Sequence, residues 1–348
     1  MTIRRAAVVW CVPLLALIVL ACGGSTTRQL VTPRTPIAAR ISATPTAANT
    51  PTPAVPLPAT LTNAQTFQNI PTYDGSGQVV HPDVAYFPAP WHGYQYWMAV
   101  TPYPYGNDQR ENPSIVVSND GVGWTVPPGL ANPLVATPAC DHNSDPDLVY
   151  DPDDGKLYLF FTEQQRSERC GSLNENRLRL MTSSDGVNWS PPITVISWDL
   201  ANDPLYLSPG VVYRSDSFDL WLAGNTGVGY ATSGDGVHWS AVGPVRIAAK
   251  PWHLDVQYVA ARSEYWMVFV DSPTAGSKLV LATSKDGIRW DVQPTALLAP
   301  GPSWDDERIY RATFLLGADG RLRVWYSAKD RFEQWHVGYS MVVTAGGG

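Results

Sequence analysis

Charge is scarce in this chain. Asp, Glu, Lys and Arg make up 16% of its 348 residues and hydrophobic residues 44%. That balance excludes a disordered chain and leaves material for a sizeable core. Acids are missing altogether before Asp74, while Arg4, Arg5, Arg28, Arg34 and Arg40 stand in that stretch. The remainder therefore holds 31 acids against 24 − 5 = 19 bases, a net −12 where the whole chain has −7. A surface that acidic repels phosphate backbones and argues against nucleic acid as a partner. What is abundant is equally telling. Fourteen Trp, sixteen Tyr, 28 Gly and 31 Pro favour many short strands and tight turns over a helical bundle.

The N-terminal residues read as an export signal. Arg4 and Arg5 precede an apolar run of sixteen residues, Ala6 to Ala21, broken only by Pro13. A spanning helix needs about 20 apolar residues, so the run is short for a membrane span and suits a signal core. It ends in Leu20-Ala21-Cys22-Gly23-Gly24-Ser25, which resembles a bacterial lipobox and makes Cys22 the expected lipid acceptor. The expected organisation is a signal peptide over 1–21, a tether over 22–60 and one domain over 61–343. Between Gly23 and Thr60 lie seven Pro, nine Thr and no acid, a composition too poor in large apolar groups to offset its ordering entropy. The protein is thus expected outside the cytoplasmic membrane, lipid-anchored and monomeric. Cysteine is rare, and all four residues find a place. Cys11 leaves with the signal, Cys22 takes lipid, and Cys140 and Cys170 form an even pair for a disulfide in an oxidising compartment.

One motif recurs four times: Ser118-Asn-Asp120-Gly121-Val-Gly-Trp124, Ser183-Ser-Asp185-Gly186-Val-Asn-Trp189, Ser233-Gly-Asp235-Gly236-Val-His-Trp239 and Ser284-Lys-Asp286-Gly287-Ile-Arg-Trp290. The Asp residues are 65, 50 and 51 positions apart. Asp-Gly is a tight-turn signal, and a period near 50 residues with strand patterning indicates propeller blades. These four Asp read as turn formers and the Trp as packing between units. Arg321–Tyr326 and His336–Val343 supply strands of a fifth unit without a box, and a segment between Leu61 and Val80 is expected to complete it. The fold class is all-β, a five-bladed β-propeller.

Inner strands of a propeller start around one mouth. The candidate starts are His81-Pro82-Asp83, Asp145-Pro146-Asp147, Ser208-Pro209-Gly210, His253-Leu254-Asp255 and Tyr310-Arg311. Converging carboxylates beneath such a mouth suit glycosidic-bond cleavage, which needs a protonated acid and an ionised base or nucleophile. Here the chain resembles the five-bladed propeller glycosidases of the arabinanase, β-xylosidase and invertase superfamily (families 43 and 32). Ser144-Asp145-Pro146-Asp147-Leu148 through Gly155 is similar to the family 43 second blade. The resemblance implies that Asp145 tunes the acid's pKa and that Asp83 is the general base. The third blade departs, with Leu207 where the family has its general acid, and Glu111 is the expected substitute; Asp203 is a weaker one. Arg311, Asp255, His81, His253 and Trp91 are expected to bind substrate.

Blander readings stand beside these. Asp83, Asp145 and Asp255 could form a structural ring with Arg311. His81, His142 and His253 have no local ligand spacing, so neither a His-bound metal nor a cofactor is expected, though a carboxylate-held Ca²⁺ in the channel stays open. The expected function is a surface-tethered glycoside hydrolase. The alternatives are a non-catalytic carbohydrate-binding propeller and, behind it, a sialidase-like enzyme or a mannoside phosphorylase-like one using Lys329, Arg331 and His336.

Overall fold

In a computed structural model, residues 56–343 are described and fall within one compact unit. The signal segment, Cys11, Cys22 and most of the tether lie outside the described residues.

Five sheets follow one another in chain order, antiparallel but for one outer pair in the fourth. The first holds β1 (Val79–Trp91), β2 (Tyr94–Pro102) and β3 (Ser114–Ser118). The second holds β4 (His142–Asp151), β5 (Lys156–Gln165), β6 (Glu175–Ser183) and β7 (Ile193–Asp199). The third holds β8 (Tyr206–Tyr213), β9 (Phe218–Gly224), β10 (Gly227–Ser233) and β11 (Gly243–Pro244). In the fourth, β12 (Arg246–Ile247) runs parallel to β16 (Arg289–Val292), outside β15 (Leu279–Ser284), β14 (Glu264–Val270) and β13 (His253–Val259). The fifth holds β17 (Arg308–Leu316), β18 (Arg321–Lys329) and β19 (Trp335–Val343). The inner strands β1, β4, β8, β13 and β17 pack each on the next and β17 on β1, so the five-bladed propeller closes as expected.

Closure uses the N-terminal segment, though not as a full strand. Leu61 N–H donates to Leu297 O, Gln68 N–H to Val337 O, and Ser340 Oγ to Thr62 O. Trp304 locks this seam, its indole donating to Ala64 O and its ring stacking on Tyr326.

The boxes set the blade spacing. In the second, Gly186 N–H donates to Ser183 Oγ, and the amides of Val187 and Asn188 donate to Asp185 Oδ1 at 2.8 and 2.7 Å. The four Gly adopt φ of +73° or +74°, a region open to Gly at little cost. Each also receives an aromatic ring of the preceding blade's second strand. A Cβ on Gly186 would lie 2.1 Å from Trp97, and one on Gly287 2.8 Å from Trp221, whose indole donates to Gly287 O. The boxes follow the third strands, at the end opposite the inner-strand starts.

Candidate active site

The mouth is built by bulges. In β1, Val80 pairs with Thr101 and Asp83 with Ala99, so His81 and Pro82 together face one partner residue. The same irregularity inserts Asp145-Pro146 in β4, Ser208 in β8 and Tyr310 in β17. His81, Asp145 and Ser208 take φ of +55°, +51° and +43°, and each precedes Pro. Such a backbone is costly for non-Gly residues, by roughly 1–3 kcal/mol each. Bulges of this kind re-aim side chains, here into the channel.

Two layers of side chains result. The outer layer holds His81, Asp145, Ser208, His253 and Arg311. The inner layer, two residues further along each strand, holds Asp83, Asp147, Gly210, Asp255 and Thr313.

The inner layer stitches blades together. Asp83 Oδ2 accepts Leu148 N–H at 2.6 Å, Asp147 Oδ1 accepts Val211 N–H at 3.1 Å, Asp255 Oδ2 accepts Phe314 N–H at 3.3 Å, and Thr313 Oγ1 accepts Val84 N–H at 3.4 Å. Blade three breaks the layer, because a Cβ on Gly210 would lie 2.7 Å from Leu254 Cδ1. Ser208 of the outer layer makes that link instead, accepting Leu254 N–H at 3.2 Å. Three buried carboxyls share one guanidinium, that of Arg311, so they cannot all ionise. Burial pushes Asp83 up to about 6 and Asp255 up to about 7, and burial with the charge of Asp83 raises Asp147 well above the usual carboxylate range.

The outer layer is different. Asp145 Oδ1 lies 2.8 Å from His253 Nδ1, 3.5 Å from His81 Nε2 and 3.4 Å from Arg311. Burial opposes charge on Asp145, but His81, His253 and Arg311 outweigh it and hold the carboxyl well below its usual range. Burial lowers His81 well below the usual imidazole range, against the pull of Asp145. His81 Nδ1 is engaged by Thr101 Oγ1 at 3.0 Å. His81 Nε2 and both nitrogens of His253 are buried without a hydrogen-bonding partner, and the 2.8 Å contact lacks hydrogen-bond geometry. Facing lone pairs at such distances are what a shared cation demands. Ligands bound at 2.0–2.1 Å in a tetrahedral site lie about 3.4 Å apart. One atom from each of His81, Asp145 and His253 falls within 4.8 Å of the others.

Two other acidic groupings have comparable spacing but other occupations. Asp83, Asp147 and Asp255 hold backbone amides, as above. In the group of Asp108, Asp141 and His142, Arg166 and Arg169 hold Asp141, and Arg169 Nη2 lies 2.7 Å from Asp108. Among the described residues, only the His81–Asp145–His253 group of the three leaves histidine nitrogens without hydrogen-bond partners, and it fits a divalent cation.

Glu111 opens onto the same place. Its Oε1 lies 3.5 Å from His81 Nδ1 and its Oε2 lies 3.6 Å from His142 Nε2. Burial, helped by the charge of Asp145, raises its carboxyl well above the usual range. Asp141 Oδ1 orients His142 through Nδ1 at 2.6 Å. The adjacent Cys140 is bridged to Cys170, with Cα atoms 5.4 Å apart, as expected. The bridge pins the one-turn helix Ser167–Cys170, which the Arg166 and Arg169 pairs also hold.

Some expected site residues belong elsewhere. Trp91 ends β1, about ten residues and on the order of 30 Å of strand beyond His81. It packs there against Phe87, Trp97 and Tyr150, so it is corrected from substrate binding to the hydrophobic core of blades one and two. Asp83 and Asp255 lie in the inner layer rather than beside Asp145, because the bulge makes Asp145 the counterpart of His81. Asp203 accepts Asp199 N–H in an exposed turn. Leu207 is buried in β8; of the bases weighed for phosphate, Lys329 is engaged by Glu307 and Glu333 and Arg331 by Asp306, while the His336 ring stacks on Phe67 with its nitrogens unpartnered. The convergence of His81 and His253 on Asp145 escaped sequence reading, since the intervals are 145 − 81 = 64 and 253 − 145 = 108 residues.

No family profile matches the chain. It is 35% identical over 339 residues to an A type blood N-acetyl-α-D-galactosamine deacetylase of Flavonifractor plautii. That match covers 78% of this chain and 43% of the relative, so the chain spans less than half of that protein's length. Among solved structures, an N-acetylgalactosamine deacetylase from F. plautii, in complex with blood group B trisaccharide, is similar with a TM-score of 0.72 and 31% identity. This similarity covers 81% of this chain and 95% of that one. The catalytic domain of the GH62 α-L-arabinofuranosidase of Coprinopsis cinerea has a TM-score of 0.58 at 13% identity, covering 82% of this chain and 97% of that one. A thermostable family-43 glycoside hydrolase has 0.56 at 11%, covering 82% and 94%. These last two share the fold alone.

Proposed function

We propose that the chain, which belongs to the family of the N-acetylgalactosamine deacetylase propeller that it matches at 31% identity, removes the acetyl group from an N-acetylated amino sugar. The observation that carries this reading is the set of unpartnered, buried nitrogens of His81 and His253 facing Asp145 Oδ1. A glycosidase needs two carboxyls with opposed protonation on either side of the scissile bond. Of the two carboxyls at the mouth, Asp145 is committed to two histidines and Arg311, which leaves Glu111 to carry a proton.

His81, Asp145 and His253 would hold a divalent cation, whose contribution is to polarise the acetamido carbonyl and acidify water. Thr101 orients the His81 ring through Nδ1, as an outer partner of a ligand does. Glu111 is placed to take a proton from the attacking water and return it to the departing amine. The amide C–N bond breaks, a C–O bond forms, and acetate and the free amino sugar leave. A carboxyl that burial raises holds a proton more readily than an exposed one, as a proton carrier must. Tyr310 and Tyr103, whose hydroxyls burial holds protonated, are donors for sugar hydroxyls at the mouth. Export with acylation at Cys22 would present this mouth to glycans outside the cell, and metabolic labelling with a fatty acid tests that placement.

The discriminating assay incubates the full chain with an N-acetylgalactosamine-terminated oligosaccharide, with EDTA or after reconstitution with Zn²⁺, Mn²⁺ or Co²⁺. Metal-dependent acetate release, lost in His253→Ala together with bound metal, is expected. Release of free sugar independent of metal would restore the glycosidase reading. Glycan binding without either product would favour the non-catalytic propeller.

A further inference from the structure

Glu111 carries the proton in the reading above, yet its carboxyl is loosely held. Among the described residues Oε1 is buried without a hydrogen-bonding partner, and the nearest imidazole nitrogens stand 3.5 and 3.6 Å from the two oxygens. Its place is therefore set from the backbone. That backbone belongs to no strand, since Glu111 follows the one-turn 3-10 helix Asp108–Arg110 and precedes β3. Glu111 has φ of −73° and ψ of 73°, and Asn112 N–H donates to Arg110 O at 2.8 Å. These are the marks of an inverse γ-turn with Glu111 at its centre. The turn aims the carboxyl, but a single hydrogen bond adds little net stability in water.

A second tie comes from outside the blades. Tyr73, which lies ahead of β1, donates its hydroxyl to the same Arg110 O at 2.8 Å and accepts Asn112 Nδ2 at 3.0 Å. One hydroxyl thus holds both ends of the turn, using its single O–H and one of its two lone pairs. Burial raises Tyr73 above the usual phenol range, so the donating proton stays in place.

The clamp is itself anchored on both sides. Around Tyr73 the chain is tied in a turn, with Gly75 N–H donating to Thr72 O at 3.1 Å and Gly77 N–H to Thr72 Oγ1 at 3.0 Å. On the other side Asn112 Nδ2 also donates to Thr137 Oγ1 at 2.9 Å, and Asn112 Oδ1 accepts Asn143 Nδ2 at 2.8 Å. Asn143 follows His142 in β4, so the network ends on the strand that presents His142 and Asp145. We infer that Tyr73 is a positioning residue. Its hydroxyl fixes the turn from Arg110 to Asn112 and so sets where the Glu111 carboxyl stands between His81 and His142. This rests on Glu111 as the proton carrier and adds the residue that places it.

The test is Tyr73→Phe, which keeps the ring and removes both bonds. Tyr73 is only partly buried, so the variant is expected to fold. The full chain, reconstituted with Zn²⁺, is assayed on an N-acetylgalactosamine-terminated oligosaccharide. A misplacement of about 1 Å can cost about 100-fold, and here kcat for acetate release is expected to fall about tenfold. KM and bound zinc are expected to stay unchanged. In the Glu111→Gln background, Tyr73→Phe should cost nothing further, whereas a merely structural role would lower both backgrounds alike. An unchanged kcat, equal losses in the two backgrounds, or loss of bound zinc would overturn the inference. Crystal structures of the wild type and Tyr73→Phe separate this from the parent reading. If the wild type releases no acetate, or Glu111→Gln keeps full activity, that reading fails. A Glu111 carboxyl displaced in the variant then still upholds the clamp, and an unmoved one overturns it.

Discussion

At the scale of single residues, each Asp of the channel owes its chemistry to its neighbours. Asp145 is ionised because two imidazoles and Arg311 surround it, and Asp255, two positions past a mouth residue, is pushed up to about 7 by burial first and Asp83 second. Glu111 is the informative residue to change. Burial and the charge of Asp145 both work against its ionised form, so a neutral amide of the same shape removes a cost of folding. Glu111→Gln is therefore expected to melt no lower than the wild type in scanning calorimetry, while acetate release falls by roughly 10²–10⁴. A variant that melts lower and keeps its activity would make Glu111 a structural partner of His81 and His142. The role was partly legible, because Glu111 opens a strand on the mouth face. The histidines were harder to read. Nothing local to His81-Pro82-Asp83 tells which of His81 and Asp83 reaches the outer layer until the bulge is known.

At the scale of elements, the boxes were the readable part, since turn chemistry lies within a few residues. Their Asp and Gly do what Asp-Gly turns require, and their period located the blades. The aromatic ring that seats each Gly comes from another blade and carries no local signal. Gly186→Ala should therefore cost more than a turn glycine usually does. The left-handed φ and a Cβ placed 2.1 Å from Trp97 act together, and strain plus overpacking amount to roughly 2–4 kcal/mol. A urea midpoint unchanged by this substitution would mean that Trp97 moves aside freely. The disulfide bears on a different element. It closes a loop with a sequence separation of 30, for which chain entropy predicts about 3–4 kcal/mol. Cys140→Ser should lose that much or somewhat less, because Arg166 and Arg169 still hold Asp141. Added reductant should destabilise the wild type and leave the variant unchanged.

At the scale of the whole molecule, five blades close because each inner strand touches both neighbours, and this architecture was legible from the period and strand count alone. The site was not, since its three nitrogen and oxygen donors come from blades one, two and four. Acid should test how much the repeated turns contribute to the closed ring. Asp120, Asp185, Asp235 and Asp286 are all held below the usual carboxylate range, chiefly by hydrogen bonds from the amides of Gly123, His238 and Arg289 and from Asn188. Asp141 is held low as well, since the bonds from Arg166 overcome its burial. Depressed carboxyls bind fewer protons folded than unfolded, so stability rises with pH until the unfolded groups, near 3.9, are ionised. Their contribution is complete above about pH 5 and lost as pH falls through 4 and below. The inner-layer carboxyls, which burial raises, act with the opposite sign and at higher pH, so the acid window belongs to the depressed groups: the boxes, Asp141, Asp145 and others such as Asp108, Glu264 and Asp319. The box groups are exposed, which keeps each contribution small and makes the sum the measurable quantity. Urea midpoints taken from pH 5 to pH 3 should therefore fall steadily in the wild type. With all four box Asp changed to Asn, the midpoint should start lower at pH 6 and fall less steeply. A slope as steep in that variant as in the wild type would assign acid sensitivity to the remaining depressed carboxyls, Asp141 and Asp145 among them, instead.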